Sequence, residues 1–122
     1  MNNVVLVGNL TKDPELRQTN SGLSVCNFTV AVSRNFKNTD GEIDTDFIPI
    51  VAWKAQAENC AKYLKKGRKV AVSGSIQTRS YEAEDGSRRY VTEVMANNVE
   101  FLTSKSQANA HLKQYKNMIK KL

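Results

Sequence analysis

The stretch TDFIPIVAWKAQAENCAKYLKKG, residues 45–67, begins with a strand pattern and continues with a helix pattern. A half-buried strand normally alternates apolar with polar side chains. Residues 45–53 do not, because both faces of this predicted strand are apolar. One face carries Ile48, Ile50 and Ala52, and the other carries Phe47, Pro49, Val51 and Trp53. If one face packs in the core, the other needs a second apolar contact.

The second part of the stretch has the spacing of an amphipathic helix. Its apolar residues recur at positions i, i+3, i+4 and i+7, and they are Ala57, Cys60, Ala61 and Leu64. Gly67 follows at the position where a glycine commonly ends a helix. The sequence therefore predicts one helix directly after the strand of residues 45–53.

Other strand patterns flank this helix along the chain. They are NVVLVGNL (3–10), SVCNFTVAVSR (24–34), KVAVSGSIQT (69–78) and NNVEFL (97–102). This order predicts an all-β domain with an OB-fold, a five-stranded Greek-key barrel with one helix between strands 3 and 4. A small barrel or roll of another topology is the alternative, since patterns alone separate these topologies poorly.

The pair Asp40-Gly41 predicts a long hairpin that projects from the barrel. If its turn has two residues, Phe36 faces Thr45 across the hairpin. This register collects aromatic side chains on one surface, namely Phe36, Phe47 and Trp53. It also adds three further apolar residues, Phe28, Val30 and Val32. Because water would not tolerate so large an apolar surface, we expect a β-bulge or a strong bend between Phe28 and Phe36.

The pair Asp85-Gly86 predicts a second projecting hairpin, in which a two-residue turn would place Tyr81 opposite Tyr90. Three cations lie nearby, at Arg79, Arg88 and Arg89. Aromatic rings among cations suit single-stranded nucleic acid, because each stacked base contributes about 1–3 kcal/mol while the cations contact phosphates. The alternative is that these rings pack in the core or at a subunit contact.

The charge of the chain is unevenly distributed. The 122 residues include 18 Lys and Arg against 12 Asp and Glu, which gives a net charge of +6. Residues 103–122 hold five lysines and no acid, so the first 102 residues are nearly neutral. We therefore expect a domain of residues 1–103 and a short basic tail of residues 104–122. A solvated tail on a neutral domain is the alternative to polyanion binding.

The sequence does not indicate an enzyme. The single histidine, His111, lies in the predicted tail, so no histidine is present to activate a nucleophile in residues 1–103. Cys26 and Cys60 match no metal-binding spacing, and we expect them to be reduced core residues of a cytoplasmic protein. No apolar run approaches the ~20 residues of a membrane span, and the N-terminus lacks the features of a secretory signal. We expect no catalytic residue, metal or cofactor.

Five blocks of the sequence together resemble bacterial single-stranded DNA-binding proteins. They are NNVVLVGNLTKDPELRQTNSG (2–22), FTVAVSRNFKN (28–38), DFIPIVAWKAQAENCAKYLKKG (46–67), GSIQTRSYEAEDGSRRYVTEV (74–94) and VEFL (99–102). The resemblance covers about residues 1–103. It implies an OB-fold domain, usually a homotetramer, that binds single-stranded DNA in replication, recombination and repair. It also implies a cytoplasmic location, associated with the nucleoid during replication.

The resemblance assigns a role to individual residues. Bases would stack on four aromatic residues, Phe36, Phe47, Trp53 and Tyr81. Phosphates would contact seven cations, Lys54, Lys65, Lys66, Arg68, Arg79, Arg88 and Arg89. Three of the four rings are Phe or Tyr where family members often have Trp, so we expect less contact area per base.

The C-terminal residues depart from the family pattern. Family members typically carry a long flexible linker whose acidic tip recruits replication and repair proteins, whereas this sequence has no acid after Glu100. We therefore expect an accessory, plasmid or phage-type member, or a shortened piece of a longer chain, without recruitment through such a tip. The basic tail would be solvated and unfolded, or would contact phosphates or a partner.

Two other functions are compatible with the residues. One is an OB-fold protein whose apolar outer surface serves protein assembly, such as a dimeric primosome component that binds DNA weakly. The other is a cold-shock-like RNA-binding protein, which the five family blocks disfavour.

Overall fold

The computed structural model describes residues 1–102. Its elements in chain order are β1 (Val4–Leu10), β2 (Glu15–Gln18), β3 (Ser24–Lys37), β4 (Ile43–Trp53), α1 (Lys54–Tyr63), β5 (Lys69–Glu82) and β6 (Arg88–Leu102). The short β2 was not predicted, and its four side chains are all exposed at the outer edge of β3. The other five strands and the position of the helix among them are as predicted.

The five long strands close into a barrel. The strand order is β1-β5-β6-β4-β3-β2, and a further pairing of β1 with β3 closes the sheet at Asn9–Ala31 and Leu10–Val30. All pairings are antiparallel except that of β4 with β6, which joins Ile50 to Val94 and Val51 to Met95. This closed five-stranded barrel with one helix confirms the predicted OB-fold.

The core lies inside the barrel and beneath α1. Its largest fully buried side chains are Ile50, Val30, Val70, Val72, Cys26 and Cys60. Both cysteines are free, as predicted. Burial raises the pKa of the Cys26 thiol to about 11 and that of Cys60 to about 12. Both groups are therefore neutral thiols near pH 7, as suits an apolar core.

The observed register between β3 and β4 removes the apolar surplus noted in the sequence. Ser33 pairs with Thr45 and Lys37 with Ile43, so four steps along β3 match two steps along β4. This irregularity falls where a bulge or bend was predicted. Phe28 pairs with Ile50 and points into the core, where it is buried. The three-residue loop of the hairpin accounts for this orientation, because a shift of two residues leaves every side chain on the same face. The predicted pairing of Phe36 with Thr45 is wrong, because Thr45 pairs with Ser33.

Both projecting hairpins have three-residue loops instead of the predicted two-residue turns. In the second hairpin, Ala83 N–H donates to Ser87 O at 2.8 Å and Gly86 has a φ of +82°. Such a loop places glycine in the left-handed region. Tyr81 therefore pairs with Arg89, and Tyr90 pairs with Ser80. The predicted Tyr81–Tyr90 pair is wrong by one residue, which moves the two rings to opposite faces of the hairpin.

Candidate nucleic-acid interface

The second apolar face of β4 lies on the outside of the barrel. Cross-strand pairing places Phe47 beside Ala31, Pro49 beside Thr29 and Trp53 beside Val25. The face is not uniformly open. Phe47 is 65% exposed, whereas Val51 is buried next to its β6 partner Met95. The strand thus offers an open ring near one end of the barrel and a packed strip further along.

Trp53 lies at the junction of β4 with α1 and is half-buried. Its Nε1 donates to Met95 Sδ at 2.9 Å, which fixes the orientation of the indole. Lys54 follows at the start of α1 with a φ of 60°, in the left-handed region that favours glycine. Met95 could not be identified from the sequence, because a single methionine on a strand is compatible with either face.

Two arms leave the same end of the barrel. The first arm is the end of the β3–β4 hairpin (residues 34–46), and the second arm is the end of the β5–β6 hairpin (residues 77–93). β4 and β6 run parallel where Ile50 pairs with Val94. The β4 half of the first arm precedes Ile50, and the β6 half of the second arm precedes Val94. They must therefore extend in the same direction.

The outer face of the second arm carries Tyr81, Arg79 and Arg89. Side chains alternate along β6, so Arg89 lies on the same face as Glu93 and Met95, and Tyr81 is the cross-strand partner of Arg89. The Arg79 guanidinium lies 5.9 Å from the centre of the Tyr81 ring. Arg79 Nε also donates to Glu93 Oε1 at 3.0 Å, and Arg89 pairs with Asp85 at 3.6 Å. Both arginines of this outer face thus already have carboxylate partners.

The first arm presents Phe36, which is 78% exposed. Lys37 pairs with Ile43, which lies on the same face of β4 as Phe47. Phe36 is the neighbour of Lys37 along β3, so its ring lies on the face opposite Phe47. Two hydrogen bonds from the Arg34 guanidinium to Asp46, at 2.9 and 3.0 Å, hold the pKa of that carboxyl below its usual value. The register therefore does not unite all three predicted rings, since Phe47 and Trp53 share a face that Phe36 does not.

The predicted phosphate contacts fall into two groups. Arg79, Arg88 and Arg89 lie on the second arm. The other four, Lys54, Lys65, Lys66 and Arg68, lie at or just after α1 and belong to the opposite end of the barrel. There the Lys66 backbone N–H donates to Asp13 Oδ1 at 2.8 Å, which ties the turn after α1 to the loop after β1. Phe47 and Trp53 are six positions apart on β4, roughly 20 Å along the strand.

A shallow cavity of about 200 Å³ adjoins this outer strip. Its lining includes the polar side chains of Lys12, Asp13, Glu15 and Glu93. Among residues 1–102, no group of His, Cys, Asp or Glu side chains is arranged to hold a metal ion. Within the same range, no helix has the length and hydropathy that a membrane span requires.

The fold and the exposed rings define a class of protein, an OB-fold barrel with an open aromatic surface and two projecting arms. More specifically, the chain belongs to the single-strand binding protein family, whose model matches residues 1–102.

Several curated relatives are similar over the same region. Single-stranded DNA-binding protein 3 of Listeria innocua is 58% identical over 105 residues, which are 86% of this chain and 66% of the relative. The single-stranded DNA-binding protein of Bacillus cereus is 58% identical over 84% of this chain and 60% of its own length. That of Halalkalibacterium halodurans is 53% identical over 94% and 70%. The chain thus spans less than two thirds of the first and second of these relatives.

Proposed function

We propose that this chain binds single-stranded DNA without sequence preference and protects exposed strands during replication, recombination and repair. The observation that carries the proposal is the outer face of β4, where Phe47 is largely open and Trp53 is held by Met95. Unpaired bases present π-faces that stack on such rings, whereas paired bases do not. Membership of the family and the names of the relatives support the same ligand. The proposed role is binding, without catalysis.

The proposed path runs between the two groups of cations. A strand would contact the arginines of the second arm, stack on Phe47 and Trp53, and reach the lysines that follow α1. Phosphate contacts along this path would release counterions, so affinity should fall with salt. The apolar strip between the two rings would exclude water from beneath the bases.

The test is a fluorescence titration with dT oligomers, since Trp53 is the only tryptophan in the sequence. We expect the fluorescence to be quenched on binding, and a log–log salt slope of about −0.7 for each phosphate contact. Double-stranded DNA of equal length should bind much more weakly. If the double variant Phe47→Ala/Trp53→Ala binds oligo-dT as well as the wild type, measured by anisotropy of labelled DNA, the stacking proposal is wrong.

We also propose that the chain forms a homo-oligomer, with a tetramer as the expected state. Val4–Gly8 of β1 pair with β5 on one side, while β3 pairs with β1 only at Asn9 and Leu10. Val5 and Val7 are 74% and 48% exposed along this strand. An unpaired edge beside exposed apolar side chains suits a second copy of the chain. Native mass spectrometry of the wild type and of Val5→Lys tests this, and an unchanged monomeric mass for both would contradict it.

The predicted basic tail, residues 104–122, lies outside the described residues. Its separation from the domain, its contact with phosphates and the accessory or phage-type character of the chain stay predictions. The buried free thiols Cys26 and Cys60 suit a reducing compartment, and for this reason we propose a cytoplasmic location.

A further inference from the structure

We propose that the second arm binds single-stranded DNA on both of its faces, with Tyr90 and Arg88 forming a nucleotide contact that is separate from Tyr81. This inference rests on the proposed function and extends it to Tyr90, a ring outside the four predicted stacking residues, and it places the predicted phosphate contact Arg88 on the same face as Tyr90. It names Tyr90 as a base-stacking residue and Arg88 as its phosphate contact.

The register of the arm separates the two rings. Tyr90 pairs with Ser80 and Arg88 pairs with Glu82, whereas Tyr81 pairs with Arg89. Because directly paired residues share a face and neighbours along a strand alternate, Tyr90 and Arg88 lie on the face opposite Tyr81. One base cannot stack on both rings at once.

The contacts around the two rings differ. Tyr81 is 47% exposed and lies beneath the Arg79 guanidinium, whereas Tyr90 is 81% exposed. Among residues 1–102, Tyr90 has no ring partner and no cation over its ring. A base that stacks on Tyr90 therefore displaces no existing contact, while one that stacks on Tyr81 competes with Arg79.

The arginines on the two faces of the arm also differ in their ion-pair partners. Both outer-face arginines, Arg79 and Arg89, pair with carboxylates. Arg88 donates instead to the hydroxyl of Ser80 at 3.3 Å, and within the described part of the chain it has no carboxylate within 4.0 Å. Glu82 is its cross-strand neighbour, but the two side chains do not form an ion pair. Arg88 can thus neutralise a phosphate without breaking an existing salt bridge.

The Tyr90 face is continuous with the proposed DNA path. It is an extension of the inner side of the barrel, where Ile76 pairs with Val94 and Thr78 with Thr92. A mostly apolar groove of about 250 Å³ lies where the two arms leave the barrel. Both Thr92 and Phe47 line this groove, so a strand that leaves Phe47 has a route to Tyr90 as well as to Tyr81.

The experiment compares three single variants, Tyr90→Ala, Tyr90→Phe and Tyr81→Ala, with the double variant Tyr81→Ala/Tyr90→Ala. Affinity for a long dT oligomer is measured by Trp53 fluorescence, and thermal unfolding verifies that the exposed substitutions preserve the fold. We expect Tyr90→Ala to weaken binding about tenfold, the loss of one base–aromatic stack. Tyr90→Phe should bind like the wild type. The losses in the double variant should multiply, because the two rings contact different bases.

The outcomes separate this inference from the proposed function. If the wild type binds dT and Tyr81→Ala weakens it while Tyr90→Ala does not, the second face is refuted and the proposed function stands. If Tyr90→Ala lowers the native mass of DNA-free protein, the face binds a second copy of the chain, and the inference is likewise wrong. A wild type that binds no dT refutes both. Arg88→Gln should reduce the salt slope by about one phosphate contact, and an unchanged slope would count against Arg88.

Discussion

The same substitution on the two faces of one sheet distinguishes a ligand-binding ring from a core ring. Phe47 and Phe28 lie on adjacent paired strands, but Phe47 is 65% exposed and Phe28 only 6%. Phe47→Ala should therefore weaken DNA binding with a limited effect on folding, whereas Phe28→Ala should mainly destabilise the fold. The comparison matches the residue type, the secondary structure and the size of the truncation.

The magnitudes follow from the covered area. A fully buried aromatic side chain covers roughly 200 Å², and apolar burial contributes about 25 cal/mol per Å². The third of Phe47 that is covered corresponds to at most about 2 kcal/mol of folding free energy. Phe28 corresponds to about 5 kcal/mol, at the upper end of the usual cost of a buried Phe→Ala substitution. For binding, Phe47→Ala should lose about 1–3 kcal/mol, the contribution of one stacked base.

Urea unfolding and dT titration, each followed through Trp53, measure both quantities on the same samples. If Phe47→Ala destabilises the protein as strongly as Phe28→Ala, the outer ring belongs to a core or subunit contact. If its dT affinity equals that of the wild type, no base stacks there. Either result would refute the proposal that the outer face of the sheet binds DNA while the inner face forms the core.

Three further predictions concern close packing, pH and thiol reactivity. Gly74→Ala should lower the free energy of unfolding measured in urea by more than about 2 kcal/mol, because a Cβ at Gly74 would collide with the Met95 carbonyl. A free energy of unfolding equal to that of the wild type would contradict this contact. Asp46→Asn should reduce the loss of thermal stability on acidification. The hydrogen bond from Arg34 lowers the Asp46 pKa, so its contribution is present above the unfolded pKa and lost as pH falls through the folded one; parallel profiles for variant and wild type would contradict it. The two buried thiols should not react with a thiol reagent at pH 8 until the protein unfolds, since burial raises the pKa of Cys60 to about 12, and rapid labelling of the native protein would oppose this.

The barrel and its helix could be predicted because their signals are periodic. The alternation around Val30 and Val72 and the helical spacing around Cys60 each indicate which side faces the core, and all three residues are buried. The short β2 gives no such signal. Its side chains are exposed, so its apolar and polar residues need not alternate, and only backbone pairing with β3 defines it.

The registers of the arms could not be predicted for a different reason. An Asp-Gly pair suits a two-residue turn, and it also suits a three-residue loop that ends with glycine in the left-handed region. The sequence does not distinguish the two, yet the difference of one residue places Tyr90 on the opposite face from Tyr81. The apolar surplus predicted an irregularity between Phe28 and Phe36, and one occurs between Ser33 and Lys37. The three-residue loop alone already turns Phe28 toward the core, so the surplus did not determine the position of the irregularity.

The outer face of β4 serves two purposes, which explains why residues 45–53 are apolar on both sides. Val51 is buried beside Met95, and Met95 also accepts the hydrogen bond from Trp53, so this part of the face is packed within the protein itself. Phe47 lacks such support and stays open. A ring that is already held loses little conformational entropy on binding, whereas a free ring must be ordered. We therefore propose that Trp53 is the preorganised stacking surface for a base and that Phe47 is an adaptable one near the start of the two arms.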